Sequence, residues 1–191
     1  FYVMTILNVK FVICEQEADQ EIAIIARYLN APVLSYDSDF YIYDVSYIPL
    51  VSIDLKSPIT SNDDGKPTLD CEICKPGDFA KRYKIKPDLL PLMSTLLGND
   101  YVKRATFSRF FKNLSLHSKK KKSTLGQNRI YSLIEWLQNE DFDSAVKKVL
   151  DRFKLHQRQR ILNRIKKSCE AYKKTYCKSL YYLNIKKDTC D

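Results

Sequence analysis

The chain has 191 residues, 45% of them hydrophobic, which gives room for one sizeable domain with an appendage and excludes wholesale disorder. Its longest apolar runs, such as residues 22–26, are far too short to span a bilayer, and no basic-then-apolar leader is recognisable, so neither a membrane role nor secretion is expected. The net charge of +9 is unevenly placed: residues 1–100 hold 9 Lys/Arg and 15 Asp/Glu, and residues 101–191 hold 23 and 8, so a cation-binding half precedes a polyanion-binding half, or an ordinary domain carries a basic helical tail.

In chain order, residues 9–13 read as a short buried strand. Ala18, Ile22, Ile25, Ala26 and Leu29 share one helical face, and Asn30 and Pro32 end that helix. Residues 32–36 read as a second strand, residues 40–43 as a third extended piece, and residues 45–55 as strand-like. Strand, helix and strand in about 30 residues make a βαβ unit, which predicts a parallel sheet with a right-handed crossover. Residues 57–77 carry the turn chemistry of a hairpin or loop, including Pro58, Gly65, Pro67, Pro76 and Gly77. Residues 78–84 suggest a short helix. Pro87 suits the start of a thickly apolar helix containing Leu89, Leu90, Leu92, Met93, Leu96 and Leu97, with Gly98 at its C-terminal cap. The four lysines at 119–122 read as an exposed loop. Residues 129–137, 143–150 and 157–183 read as helices.

Two pairs of acids stand at the ends of the βαβ elements. Glu17-Ala18-Asp19 follows the first expected strand where the helix begins, and Asp37-Ser38-Asp39 follows the second. In a parallel sheet both places lie at the carboxyl edge, where open α/β sheets put their sites. Carboxylates gathered there repel one another unless cations intervene, and hard oxygen ligands suit Mg²⁺. Each pair alone serves equally well as a helix cap or a turn. Capping does not require both.

Other chemistries have less support. The chain has no GxxxxGK[ST] or GxGxxG loop, and four glycines leave little for a phosphate cradle. Cys71 and Cys74 have the spacing of half a zinc site, but no second CxxC accompanies them. The two histidines, His117 and His156, read as surface residues.

At these acids the sequence resembles a known family. Glu17-Ala18-Asp19, Ile22-Ala23, and the run from Pro32 through Asp37-Ser38-Asp39-Phe40 look like the internal nuclease region of the XPG/flap-endonuclease superfamily. Leu96-Leu97-Gly98-Asn99-Asp100-Tyr101 is similar to a further motif of that superfamily. Ala31-Pro32-Val33-Leu34-Ser35, Tyr47-Ile48-Pro49-Leu50 and Leu89-Leu90-Pro91-Leu92-Met93 are closer still to the Asteroid family. The resemblance covers roughly residues 5–105.

The resemblance implies an α/β, PIN-like (flap-endonuclease-like) parallel sheet over residues 1–105, with its N-terminal part and two further aspartates ahead of residue 1. A basic helical region, 106–191, would follow. It implies catalytic and metal-site roles for Glu17, Asp19, Asp37, Asp39 and Asp100, with Glu15 an alternative member of the first pair. The implied activity is structure-specific DNA endonuclease cleavage by two divalent ions, Mg²⁺ or Mn²⁺. The implied substrate is single-stranded or branched DNA, and the implied location is nuclear. A non-catalytic, nuclease-like scaffold that binds nucleic acid or protein, with a role in signalling, is the alternative. The family's glycine-rich duplex-gripping turn has no counterpart here, since residues 102–106 contain no glycine. Residues 147–187 instead hold 14 Lys/Arg and 2 acids, with Tyr172, Tyr176, Tyr181 and Tyr182 interleaved. Lysines there can neutralise phosphates, and the tyrosines can stack on unpaired bases or pack inward.

Overall fold

Two three-residue strands, β1 (Val33–Ser35) and β2 (Tyr47–Pro49), pair in parallel, with Val33 opposite Tyr47 and Ser35 opposite Pro49. The computed structural model describes residues 2–14, 17–43, 45–54, 60–61, 64–114 and 125–183. The chain forms two compact units, Phe1–Pro76 with Lys174–Asp191, and Gly77–Lys173. With its small parallel sheet and its majority of helix, the architecture is α/β.

In the first unit, α1 (Tyr2–Ile6) leads into residues 9–14, which are not a strand. The expected strand at 9–13 is therefore corrected, and with it the βαβ unit placed there. A strand needs a neighbour for its backbone groups. Among the described residues the parallel ladder runs only between β1 and β2, and Val9, Phe11 and Ile13 are exposed.

The helix α2 (Ala18–Leu29) ends as its sequence predicts. Asn30 takes the left-handed conformation, φ 47°, and the amide of Ala31 bonds back to the carbonyl of Ala26 at 3.0 Å. The buried face is rotated from the expected one: Ala23, Ile24 and Ala26 are buried, whereas Ile22 and Leu29 are exposed. The cause is a distant segment. Cys177 and Leu180, the latter in α9 (Ser179–Tyr182), form a cluster with Ile24, against which Ile25 and Tyr28 pack. Arg27 donates to the carbonyl of Lys174 at 3.0 Å, and Lys174 to Gln20 at 3.2 Å. The Ser179 hydroxyl donates to the Glu21 carboxylate.

Residues 40–43 are not extended either. The Asp37 side chain accepts the Asp39 amide at 2.8 Å and starts a 3-10 turn, Ser38–Tyr41, that tucks Phe40 into the core. An Asp side chain that bonds nearby backbone competes with extended structure, and here it wins. The expected hairpin in 57–77 is present: β3 (Thr60–Ser61) pairs antiparallel with β4 (Pro67–Thr68). Further on, Cys74 exchanges two backbone hydrogen bonds with Tyr47, at 2.9 and 2.8 Å, so this segment lines the sheet beside β2.

The second unit is helical. It comprises α3 (Asp78–Tyr83), α4 (Leu90–Leu97), α5 (Ser108–Leu114), α6 (Leu125–Leu137), α7 (Phe142–Leu150) and α8 (Leu155–Ala171). Residues 90–96 of α4 are all buried, and α4 packs against α6 and α8. A helix apolar on every side belongs in the middle of its unit. Gly98 caps it at φ 94°, and a Cβ there would meet the backbone of Arg104 at 2.7 Å. The continuous helix expected at 157–183 is corrected to α8 and α9 with a break between them. The stripe Ile161, Ile165 and Cys169 is buried, but Thr175 and Tyr176, which would prolong it, are exposed, and Cys177 is buried instead. The lysines at 119–122, His117 and Glu15 lie outside the described residues. Among the described residues no helix is long and apolar enough to cross a membrane.

Candidate functional site

Four of the candidate acids lie in the first unit, two at the start of α2 and two directly after β1. Glu17 is the residue capping α2, exposed and making no side-chain capping bond. Asp19 is half-buried in the first turn. Asp37 is exposed directly after β1, and Asp39 is half-buried in the turn that follows. α2 packs against both β1 and that turn.

The position of Asp37 is set from three sides. Its amide donates to the Ser35 hydroxyl at 3.0 Å, and its carboxylate holds the Asp39 amide. Tyr47 lies beside it, donating its hydroxyl to the Ser35 carbonyl at 3.2 Å. Burial, then the neighbouring Tyr41 and Asp37, pushes the Tyr47 phenol above its ordinary value. The Tyr47 ring is fixed by an edge-on contact with Tyr41 at 4.9 Å and a tilted contact with Phe40 at 5.7 Å. A buried aromatic floor thus carries an exposed carboxylate on a short, hydrogen-bonded turn.

Asp100 belongs to the second unit, in a turn after α4 that is closed by reciprocal backbone bonds between Asn99 and Val102, at 3.1 and 3.2 Å. Asp100 itself is exposed. Asn99 anchors this turn. Its side-chain oxygen accepts the amides of Tyr101 and Val102, both at 3.1 Å, and its side-chain nitrogen donates to Ser168 at 2.9 Å and Tyr172 at 3.2 Å. Ser168 and Tyr172 are buried and bond in turn to Thr95 and Ser94, each at 2.7 Å. In the sequence Asn99 stands out only as part of a motif, Tyr172 only as one of four interleaved tyrosines, and Ser168 not at all. Ser168 and Tyr172 stand about 70 residues away, and no local signal links them to the turn.

The structure therefore holds Asp37 and Asp39 together through a shared turn and sets Glu17 and Asp19 at one helix start. Among the described residues no three His, Cys, Asp or Glu side chains lie close enough to hold one metal ion. Mg²⁺ commonly takes one or two carboxylates from a protein and leaves its other positions to water and substrate phosphates. Pairs of acids fit that chemistry. A closed cage of protein ligands is not what the described residues form.

The exposed side of α8 carries His156, Arg160, Arg164 and Lys167, spaced four, four and three residues apart along one helix face. Of the four interleaved tyrosines, only Tyr172 packs inward. Tyr176, Tyr181 and Tyr182 are exposed, which corrects the inward reading for these three.

The first unit thus has a short parallel sheet with an acid-bearing turn directly after β1, and the second unit is helical and ends in the basic helix α8. The family model described as XPG domain containing matches residues 4–190. Protein asteroid of Drosophila melanogaster is 31% identical over 90% of the chain and 26% of its own length. Mouse single-strand DNA endonuclease ASTE1 is 29% identical over 88% of the chain and 25% of its own length. The zebrafish protein of the same name is 35% identical over 51% of the chain and 14% of its own length. The chain belongs to the Asteroid family within the XPG-domain proteins. It spans about a quarter or less of the length of these relatives. No solved structure matches it.

Proposed function

We propose that this chain forms part of a single-strand DNA endonuclease, with Glu17, Asp19, Asp37, Asp39 and Asp100 as ligands for two Mg²⁺ or Mn²⁺ ions and a PIN-like sheet as the frame. The observation that carries the reading is the Asp37–Asp39 turn, in which an exposed carboxylate is held on a buried aromatic floor directly after a parallel strand. Two relatives of the chain are named as single-strand DNA endonucleases. When bound, such cations polarise the phosphodiester and make water a better nucleophile. The chain's own share is to hold the Asp37 carboxylate on its hydrogen-bonded turn and, in the second unit, to offer cations along α8 to phosphates. Acting on DNA, the protein is expected in the nucleus, which imaging of a tagged form checks.

The test is cleavage of end-labelled single-stranded DNA by the intact protein with Mn²⁺. Asp37→Ala is expected to lower the rate by at least about 100-fold, while losing the capping bond to the Asp39 amide costs only about 0.5–2 kcal/mol of stability. Cleavage that survives the substitution sinks the reading. A second reading, a nuclease-like scaffold that binds nucleic acid or protein without cutting, is favoured by the lack of any three-member ligand group among the described residues. It predicts DNA binding with no metal-dependent cleavage in either form.

A further inference from the structure

A cavity of about 230 Å³ opens in the second unit between the end of α5, α6 and α7, lined by Phe110, Asn113, Leu114, Trp136, Lys148 and Arg152. Its chemistry is mixed in a specific way. Trp136 is half-buried and meets Phe110 edge-on at 4.9 Å, so the two rings fix each other. Phe110 is buried and stacks edge-on against Phe111 at 5.3 Å, and Phe111 also meets the Arg129 guanidinium at 4.0 Å. The aromatic wall is therefore braced from behind. Lys148 and Arg152 stand four residues apart across the end of α7 and reach the cavity from one side, both exposed. Lys148 bonds the buried Glu140 carboxylate at 2.6 Å, which fixes its position and offsets part of its charge. Asn113, exposed at the rim, offers both an amide donor and an acceptor.

The volume decides the ligand's size. Sites for drug-sized molecules run from about 300 Å³ upward, so 230 Å³ accepts a single ring system rather than a whole nucleotide cofactor. A flat aromatic wall selects a ring with a π face, the Asn113 amide suits a ring with polar edges, and two cations at the rim select a ring with anionic neighbours. Resting on the reading that the protein acts on single-stranded DNA, we infer that this cavity receives one unpaired nucleobase of that strand. The base stacks on Trp136, and Arg152, with Lys148, meets the flanking phosphates. Duplex DNA has its bases stacked and paired and offers no ring to enter. The cavity would thus contribute to single-strand preference without reading sequence, because every base has a π face.

The chain holds one tryptophan, so its fluorescence reports on this cavity alone. The full chain is titrated at low salt with oligothymidylate and with an abasic sugar–phosphate oligomer of equal length, following both Trp136 emission and oligomer anisotropy. The expected result is saturable quenching by oligothymidylate, with the abasic oligomer binding about 5- to 150-fold more weakly and leaving emission unchanged. Arg152→Glu, an exposed substitution, weakens both oligomers. Trp136→Phe keeps an aromatic wall and the fold, and retains part of the base-dependent affinity. Equal binding of the two oligomers, binding without quenching, or no binding of either overturns the proposal. Base-independent binding together with cleavage that Asp37→Ala abolishes would remove the cavity's role and leave the nuclease reading standing. Base-dependent quenching with no cleavage by the intact protein would do the reverse.

Discussion

Replacing Asn99 with alanine should destabilise the second unit far more than its half-exposed position implies. The side chain makes four hydrogen bonds, two accepted from the amides of Tyr101 and Val102 and two donated to Ser168 and Tyr172. At about 0.5–1.5 kcal/mol net for each bond, with shared partners making the terms less than additive, the loss is roughly 2–4 kcal/mol. Little of that cost falls on the α8 side, because Ser168 keeps Thr95 as a partner and Tyr172 keeps Ser94. Tyr172→Phe should cost roughly 1–3 kcal/mol, since it takes the Tyr172 hydroxyl away from the buried Ser94 hydroxyl. Urea denaturation of the full chain, followed by far-ultraviolet circular dichroism, measures both, and the double variant measures their coupling. The two changes touch one hydrogen-bonded network, so the double variant should cost less than the sum by about 0.5 kcal/mol or more. If each single variant costs under about 0.5 kcal/mol and the two add, the network does not hold the turn.

Gly98→Ala is expected to destabilise by roughly 2–3 kcal/mol, because the added Cβ meets the Arg104 backbone at 2.7 Å and φ is 94°. Differential scanning calorimetry checks it, and an unchanged Tm would show that the 98–104 turn yields easily. Stability should also fall with alkali. Burial pushes the Cys169 thiol from an ordinary 9.0 up to about 11, so the folded state holds its proton more tightly than the unfolded chain does. Its contribution is fully present below pH 9 and is lost as pH rises towards 11, by roughly 2–3 kcal/mol. Cys169→Ala should flatten that stretch of the stability–pH curve, and a curve identical in both proteins would refute the assignment.

What could be read from the sequence was what neighbours along the chain decide. The Asn30 stop of α2, the apolar helix ending at Gly98, the hairpin within 57–77 and the short helix after Gly77 each rest on residues within a few positions of one another. The misreadings share another physics. The segment at 9–13 has the apolar pattern of a strand, but a ladder needs a partner that pattern cannot supply. At 40–43 the residues suit an extended piece, yet one carboxylate–amide bond from Asp37 to Asp39 starts the 3-10 turn Ser38–Tyr41 instead. The face of α2 was misjudged because its cover, Cys177 and Leu180, comes from about 150 residues downstream.

The candidate site divides along the same line. Acids two residues apart are a local pattern, and here it falls on the turn directly after β1 that carries Asp37 and Asp39. What holds them is partly local, the Ser35 hydroxyl and the Asp39 amide, and partly not, the Tyr47 ring brought alongside by the parallel register of β1 and β2. The turn that bears Asp100 shows the non-local case more fully. Its motif names the acid, but its geometry depends on Asn99 reaching Ser168 and Tyr172 on α8, the helix whose other side carries Arg160, Arg164 and Lys167. One helix thus holds the turn from its buried face and presents cations from its exposed face. A substitution in the buried face of α8 should for that reason disturb the Asp100 turn without touching the basic stripe, and one in the stripe should alter phosphate contact without loosening the turn. The two effects are separable because Ser168 and Tyr172 have negligible exposure, whereas the cations stand in water.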